Sequence, residues 1–410
     1  MSNKKKLIIL FCASIIMMFS FGPRSSLGIF MQPVSNEFGW PVSIFALSLA
    51  IQNLVWGLFQ PLMGGLADRF GATRVLVIGA ILYSLGIYSL TFSFHPIQMV
   101  FSFGIIAGVG LSAASLTIVI TAISRLLPKD QRSFAVGIIT AAGSLGQLVV
   151  TPVAQQLIAG YSWKTAIVML SVIIITISIF AIGFASNRDR GRDRDRDRED
   201  STNNDRKLSV IFHSFSNKNY LYLLTGFFVC GFHVAFITSH LPTYLAGLDI
   251  SSKTGAIAIG LIGLFNVFGA FFAGVLGGKY PKAILLSALY LFRAICIFLF
   301  FVSPKSETSV YIFACTIGVL WLSTVPLTSG LVSDIFGSKN IGSLFGFVFL
   351  SHQLGAFFGV LIAGLIYDYF GDYYFVWEVS ILLGLLAAII HLPIKVERQI
   401  TNPIIKKTSL

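Results

Sequence analysis

Charge is scarce in this chain. Only 11% of its 410 residues are Asp, Glu, Lys or Arg, while 55% are hydrophobic and mean hydropathy is +0.84. A soluble domain of that length needs far more polar surface, so the composition points to lipid as the solvent. Acid is scarcer than base: 17 Asp and Glu stand against 29 Lys and Arg, for a formal net charge of +12. No carboxylate falls deep inside a long apolar run. Cys12, Cys230, Cys296 and Cys315 each sit alone in an apolar stretch, which suggests neither a disulfide framework nor a zinc site. A nucleotide loop, a metal motif and a nucleophile–base pair at usable spacing are all missing, and most connections are a few residues long. The chain therefore reads as a non-enzyme without cofactor or metal.

Apolar runs are abundant. A spanning helix needs about 20 apolar residues, and twelve such segments are predicted. Six lie near 7–34, 41–66, 72–93, 97–126, 133–158 and 163–185. Six more lie near 220–246, 254–278, 282–302, 308–335, 341–367 and 374–393. About 24 of the 29 basic residues fall in the N-terminus, the even-numbered loops and the C-terminus. Lys164, Lys253 and Lys305 fall in odd-numbered loops, and Arg24 and Arg293 fall within helices. That bias follows the positive-inside rule, which puts both termini in the cytoplasm of a cell (inner or plasma) membrane protein. The basic excess is thus a topology signal rather than a nucleic-acid footprint. Lys4-Lys5-Lys6 ahead of the first run looks like a signal peptide, but no small-residue cleavage site follows, so an uncleaved first helix is expected. Between the two sets, 187–219 alternates Arg and Asp with no apolar face to bury, and reads as a solvated linker. The expected domains are 1–186, the linker, and 220–410.

The two sets repeat one another at an offset of about 209. Phe21-Gly22-Pro23-Arg24 running on to Gln32-Pro33 matches Cys230-Gly231-Phe232-His233 running on to Leu241-Pro242. Ser124-Arg125 matches Ser333-Asp334, Gly137 matches Gly346, and Leu145-Gly146 matches Leu354-Gly355. The fold class expected is all-α integral membrane, with two pseudo-symmetric six-helix bundles. A duplicated helical array with ionisable groups at matched depths is how solute carriers surround a midplane site. The 38 glycines cluster within helices, where small residues let backbones approach in the absence of a hydrophobic drive.

Between helices 2 and 3 lies Gly64-Gly65-Leu66-Ala67-Asp68-Arg69-Phe70-Gly71-Ala72-Thr73-Arg74. It resembles the major facilitator signature G-x-x-x-D-[RK]-x-G-x-[RK]-[RK], with Thr73 at one basic slot. Gly71 suits a sharp turn, and Asp68 suits a neighbouring helix N-terminus. The resemblance implies gating roles for Gly64, Asp68, Arg69, Gly71 and Arg74, in a loop that latches one face of the carrier. In the second copy, Gly274 to Lys282, Gly278 takes the Asp slot, so a one-sided latch is expected. Within the superfamily the chain is similar to monocarboxylate transporters and oxalate/formate antiporters: Pro23-Arg24-Ser25 resembles their helix-1 segment, where a Lys holds the Arg24 place. It departs from them on helix 8, where their Asp and Arg slots hold Asn266 and Ala270. The usual helix-4 Arg slot of the superfamily is Gly104. The glycine-proline motif of drug antiporters is not intact, since Ser144 follows Gly143 and Pro152 comes later.

An Arg at mid-bilayer costs at least about 2.5–3.5 kcal/mol on insertion scales and so faces a cavity or a partner. Arg24, with no intramembrane acid to meet it, is a natural seat for a substrate carboxylate; snorkelling to the interface is the structural alternative. His233, the repeat partner of Arg24, and His352 are candidates for substrate or proton contact, with structural hydrogen bonding as the alternative for each. Arg293, on helix 9, is expected to point toward helix 8 or 11, either bracing the bundle or touching substrate. Gln52, Asn53, Gln147 and Asn266 are candidate pore polar groups or interhelical bonders. The reading is a secondary transporter moving a small organic anion, a monocarboxylate, by alternating access. The expected partners are the bilayer, the anion and H+ as a candidate coupling ion, with the protein acting as a monomer. Export of a larger amphiphile or drug-like compound is the alternative within transport, and a non-transporting solute sensor is the alternative of another class.

Overall fold

The computed structural model describes residues 3–126, 129–184, 213–337 and 341–395. Most of the charged linker expected over 187–219 lies outside them. Among the described residues twelve helices are long and apolar enough to span a membrane. The first six are α1 (Lys6–Phe38), α2 (Val42–Phe70), α3 (Ala72–Phe92), α4 (Pro96–Ile120), α5 (Phe134–Gly160) and α6 (Trp163–Phe184). The second six are α7 (Lys218–Ala246), α8 (Ser252–Gly277), α9 (Lys282–Val302), α10 (Glu307–Phe336), α11 (Gly342–Phe370) and α12 (Tyr374–His391). The first helix runs past Pro33, because a 3-10 turn at Leu27–Phe30 restarts the helix at Met31. Pro33 then sits in a first turn, where its missing N–H is no loss.

Each half buries its own apolar cluster, one built mainly from residues between Ile9 and Phe184 and the other between Tyr220 and Ile394. Large side chains such as Phe101, Ile179 and Phe272 point outward and stay exposed. In water they would be a liability; in a bilayer they meet acyl chains.

The repeated glycines explain how each bundle closes. A Cβ on Gly22 of α1 would strike Val150 and the backbone of Gly146 on α5, and one on Gly146 would strike the Met18 carbonyl. The second half does the same: Gly231 of α7 lies on the His352 carbonyl of α11, and Gly355 lies on that of Phe228. Without side chains in the way, the helix pairs touch backbone to backbone, which is where packing energy comes from in lipid.

The fourth helix of each half is broken at matched depth. In α4 the chain turns at 114–115, and in α10 at 321–323. Pro326 accounts for the second break, since its ring displaces the carbonyl four residues back and it lacks an N–H. Freed backbone groups in a membrane need new partners. Ser20 Oγ donates to the Ala114 carbonyl at 2.8 Å, and Asn266 Oδ1 accepts from Leu322 N at 3.0 Å.

The bundles meet along α2–α11 and α5–α8. At the end opposite the signature loop they are locked together. Asp368 of α11 accepts from the backbone N–H of both Val42 and Ser43 at 2.8 Å, so a carboxylate of one bundle caps a helix of the other. Gly28 lies on the carbonyls of Thr238 and Ser239, and Gly364 lies on Ser43 and Ala46. At the signature-loop end, a Cβ on Gly64, Gly137, Gly274 or Gly346 would meet nothing within 4 Å. One end is sealed and the other is splayed.

Candidate functional site

Arg24 is half-buried on α1, and Nη2 donates to Asn53 Oδ1 on α2 at 3.3 Å. Its guanidinium carbon lies 4.5 Å from the Trp56 ring centre and 6.0 Å from that of Phe21, within range of cation–π attraction. Among the described residues no carboxylate pairs with it. Trp56 also makes an edge-on contact of 5.1 Å with Phe349 of α11. Phe349 stacks on His352, one helical turn away, at 6.0 Å. A continuous line of rings therefore joins Arg24 in one bundle to His352 in the other, across the junction where the splay begins. The His352 ring also lies 5.0 Å from that of Phe227, and its Nδ1 is buried without a hydrogen-bond partner.

Trp56 is held in place by a relay. Its Nε1 donates to Gln60 Oε1 at 2.9 Å, and Gln60 Nε2 donates to Ser115 Oγ at 2.9 Å, at the break in α4. The ring that carries the guanidinium is thus fixed by the same feature that interrupts the helix behind it. Local spacing makes these contacts possible, because Phe21 with Arg24 and Phe349 with His352 are three apart, and Trp56 with Gln60 four apart.

Two further candidates belong to the α5–α8 junction. Gln147 Nε2 donates to the Ile259 carbonyl at 2.7 Å, and its Oε1 lies 3.3 Å from Ser25 Oγ. Asn266 Nδ2 donates to Ser144 Oγ at 3.1 Å. These amides bridge the two bundles across the α5–α8 junction.

Three candidates are not brought to this place. Gln52 donates to the Phe103 carbonyl on α4 at 2.9 Å, facing away from its neighbour Asn53. His233 is fully enclosed, with Nε2 2.8 Å from the Ser380 carbonyl of α12. Arg293 is fully enclosed as well. It points to α10 and α7 instead of α8 or α11, since the α10 break exposes carbonyls there. Nη2 donates to the Leu320 and Trp321 carbonyls, and Nη1 lies 3.5 Å from Cys230 Sγ. His240 is satisfied at both nitrogens, by Tyr373 Oη at 3.0 Å and the Val360 carbonyl at 2.9 Å.

In the signature loop, Gly71 has φ of +88°, a turn that excludes most side chains, while Asp68, Arg69 and Arg74 are exposed. Gly64 is half-buried, one of the four glycines on the open side. The second half has no acid in this loop, but Lys282 pairs with Asp334 at 2.7 Å. Sequence reasoning passed over Phe349 and Gln60 and read Trp56 only as a residue that lines or packs the bundle; their spacing from His352 and within α2 was the available signal.

Comparison with known proteins agrees with this architecture. The description Major Facilitator Superfamily matches residues 10–354. The chain is 25% identical over 387 residues to the uncharacterized MFS-type transporter YcxA of Bacillus subtilis (strain 168), covering 92% of each. It is 23% identical to the hexuronate transporter of the same organism, covering 91% of this chain and 90% of the other. It is 22% identical to monocarboxylate transporter 4 of Gallus gallus, covering 91% and 79%. Among solved structures, a bacterial homolog of the human lysosomal transporter Spinster, inward-facing and occupied, superposes with a TM-score of 0.76 at 13% identity, covering 95% and 97%. The chain belongs to the Major Facilitator Superfamily and is a multi-pass secondary transporter working by alternating access.

Proposed function

We propose that the cargo is a small organic anion, a monocarboxylate, held by Arg24 at the junction of the two bundles. The observation that carries this reading is the state of the guanidinium: it is embedded, it has one neutral side-chain partner at 3.3 Å, and it rests on aromatic faces. A carboxylate arriving from the splayed end can take up two of its free N–H groups in parallel, and such charge-assisted pairs are about twice as strong as neutral ones. Two relatives, named for hexuronate and monocarboxylate transport, both handle acids by those names. Asn53 holds the guanidinium in reach, and Gln147 with Asn266 ties the bundles together along α5–α8. His352 stands on the opposite bundle at the far end of the ring line, and histidine is the side-chain type suited to exchanging a proton with such a site.

In this reading Asp68, Arg69 and Arg74 form the latch of the reverse conformation. Closing the splayed end brings Gly64 toward Gly346 and Gly137 toward Gly274, while Asp368 lets go of α2. The positive-inside bias makes the open end the cytoplasmic one.

Reconstituted protein tests this directly. Radiolabelled lactate and pyruvate uptake into proteoliposomes, with pH and voltage gradients imposed separately, is expected to exceed that of empty vesicles and to depend on Arg24. Efflux of cationic dyes without anion uptake would instead support the amphiphile exporter. Binding without counterflow would mark a sensor. Uptake by His352→Ala with an unaltered pH profile would remove His352 from proton coupling.

A further inference from the structure

Resting on the anion-carrier reading, we infer that the site selects carboxylates with an apolar or aromatic body and rejects polyhydroxylated acids. Hydroxyl recognition needs polar side chains that are both accessible and aimed at the ligand, and around Arg24 the amides and hydroxyls are turned to protein partners. Asn53 Nδ2 is tied to the Leu49 carbonyl at 2.9 Å and its Oδ1 to Arg24. Ser25 and Ser26 donate to the Phe21 and Gly22 carbonyls at 2.9 Å, with Ser25 Oγ 3.3 Å from Gln147 Oε1 and Ser26 Oγ 3.0 Å from Thr151 Oγ1 on α5. Gln147 is committed to Ile259, Asn266 to Ser144 and Leu322, and the Trp56 N–H to Gln60.

Among the described residues the buried polar atoms without a partner here are His352 Nδ1, the amide of Gln353 and the Tyr83 hydroxyl; Gln353, against Gly57, and Tyr83 are both fully enclosed. The surfaces beside the guanidinium are rings. Phe21 and Trp56 flank it, Phe349 follows, and the Trp56–Gln60–Ser115 relay keeps the indole from turning away. A phenyl or alkyl body finds preformed apolar contact there. Each sugar-like hydroxyl would instead lose water without gaining a partner, which weakens binding by about tenfold per group.

The test is binding to the purified full chain, read by quenching of intrinsic tryptophan fluorescence, with phenylacetate, hexanoate, lactate and gluconate as probes. Phenylacetate and hexanoate are expected to bind at least about tenfold more tightly than lactate, with gluconate weakest. Trp56→Phe should keep that order while losing much of the quenching signal. Trp56→Ala, with affinities read by isothermal titration calorimetry because the reporting indole is gone, should collapse the order toward equal affinities without changing the melting temperature of the unliganded chain by more than a few degrees. Gluconate binding as tightly as phenylacetate, with both lost in Arg24→Gln, would overturn the apolar-body inference and leave the anion reading standing. Binding of none of the four, or binding indifferent to Arg24→Gln, would overturn both.

Discussion

Each half of the molecule keeps one arginine within the membrane, and the two are treated in opposite ways. In the second half Arg293 is fully enclosed, spending its guanidinium on carbonyls freed by the break in α10. It acts as a cap built from a neighbouring helix: a cation placed at the C-terminal end of a half-helix, where the dipole favours it. In the first half the equivalent break at Ala114 is closed by Ser20 and involves no charge. Arg24 is therefore free of structural duty and rests on Trp56, with Asn53 as its one side-chain hydrogen-bond partner among the described residues. A membrane arginine tied to helix-end carbonyls is bracing. One left short of partners beside an open end is available for a ligand.

That contrast can be broken most severely at Arg293. Arg293→Leu is expected to strand two carbonyls at roughly 1–3 kcal/mol each, seen as a lower melting temperature and loss of the monodisperse species on size-exclusion chromatography. Normal folding and thermal stability of this variant would remove the bracing role. Arg24→Gln should do the reverse: an unchanged melting temperature with anion uptake down by about a hundredfold, near 2.7 kcal/mol. Transport at the parental rate would strike Arg24 from the site. The latch provides a finer test of asymmetry between halves. Asp68→Asn is expected to slow turnover several-fold with little change in substrate affinity, in a counterflow assay paired with equilibrium binding. Gly278→Asp, placing an acid in the matching loop of the other half, should leave turnover within about twofold. The smallest effect is expected at His233, the repeat partner of Arg24. His233→Gln should cost about 1 kcal/mol of stability through the Ser380 bond and leave the Michaelis constant for anion uptake alone; a large rise in that constant would return His233 to the site.

A second contrast, between the two ends, runs along the same helices. Asp368 and Gly28 hold one end closed through contacts between bundles, whereas Gly64 and Gly346 face open space at the other. Small residues occur at both, so each end can pack as tightly as the other when its turn comes. This is what a carrier that rocks between two closures needs.

The twelve spans, the doubling of the array and the membrane class were determined by the sequence alone, because lipid leaves the backbone no choice but long apolar helices. The matches of Gly22 with Gly231 and of Gly146 with Gly355 were legible for the same reason: where two helices touch at the backbone, a side chain is forbidden, and the repeat records it. Which way each polar side chain turns was decided only by the tertiary structure. Gln52 and Asn53 are adjacent, yet about 100° of helical rotation sends one to α4 and the other to Arg24. His233 shares a repeat position with Arg24 but ends against α12. Direction around a helix depends on which neighbour packs on which face, and that is a property of the assembled bundle rather than of any one span.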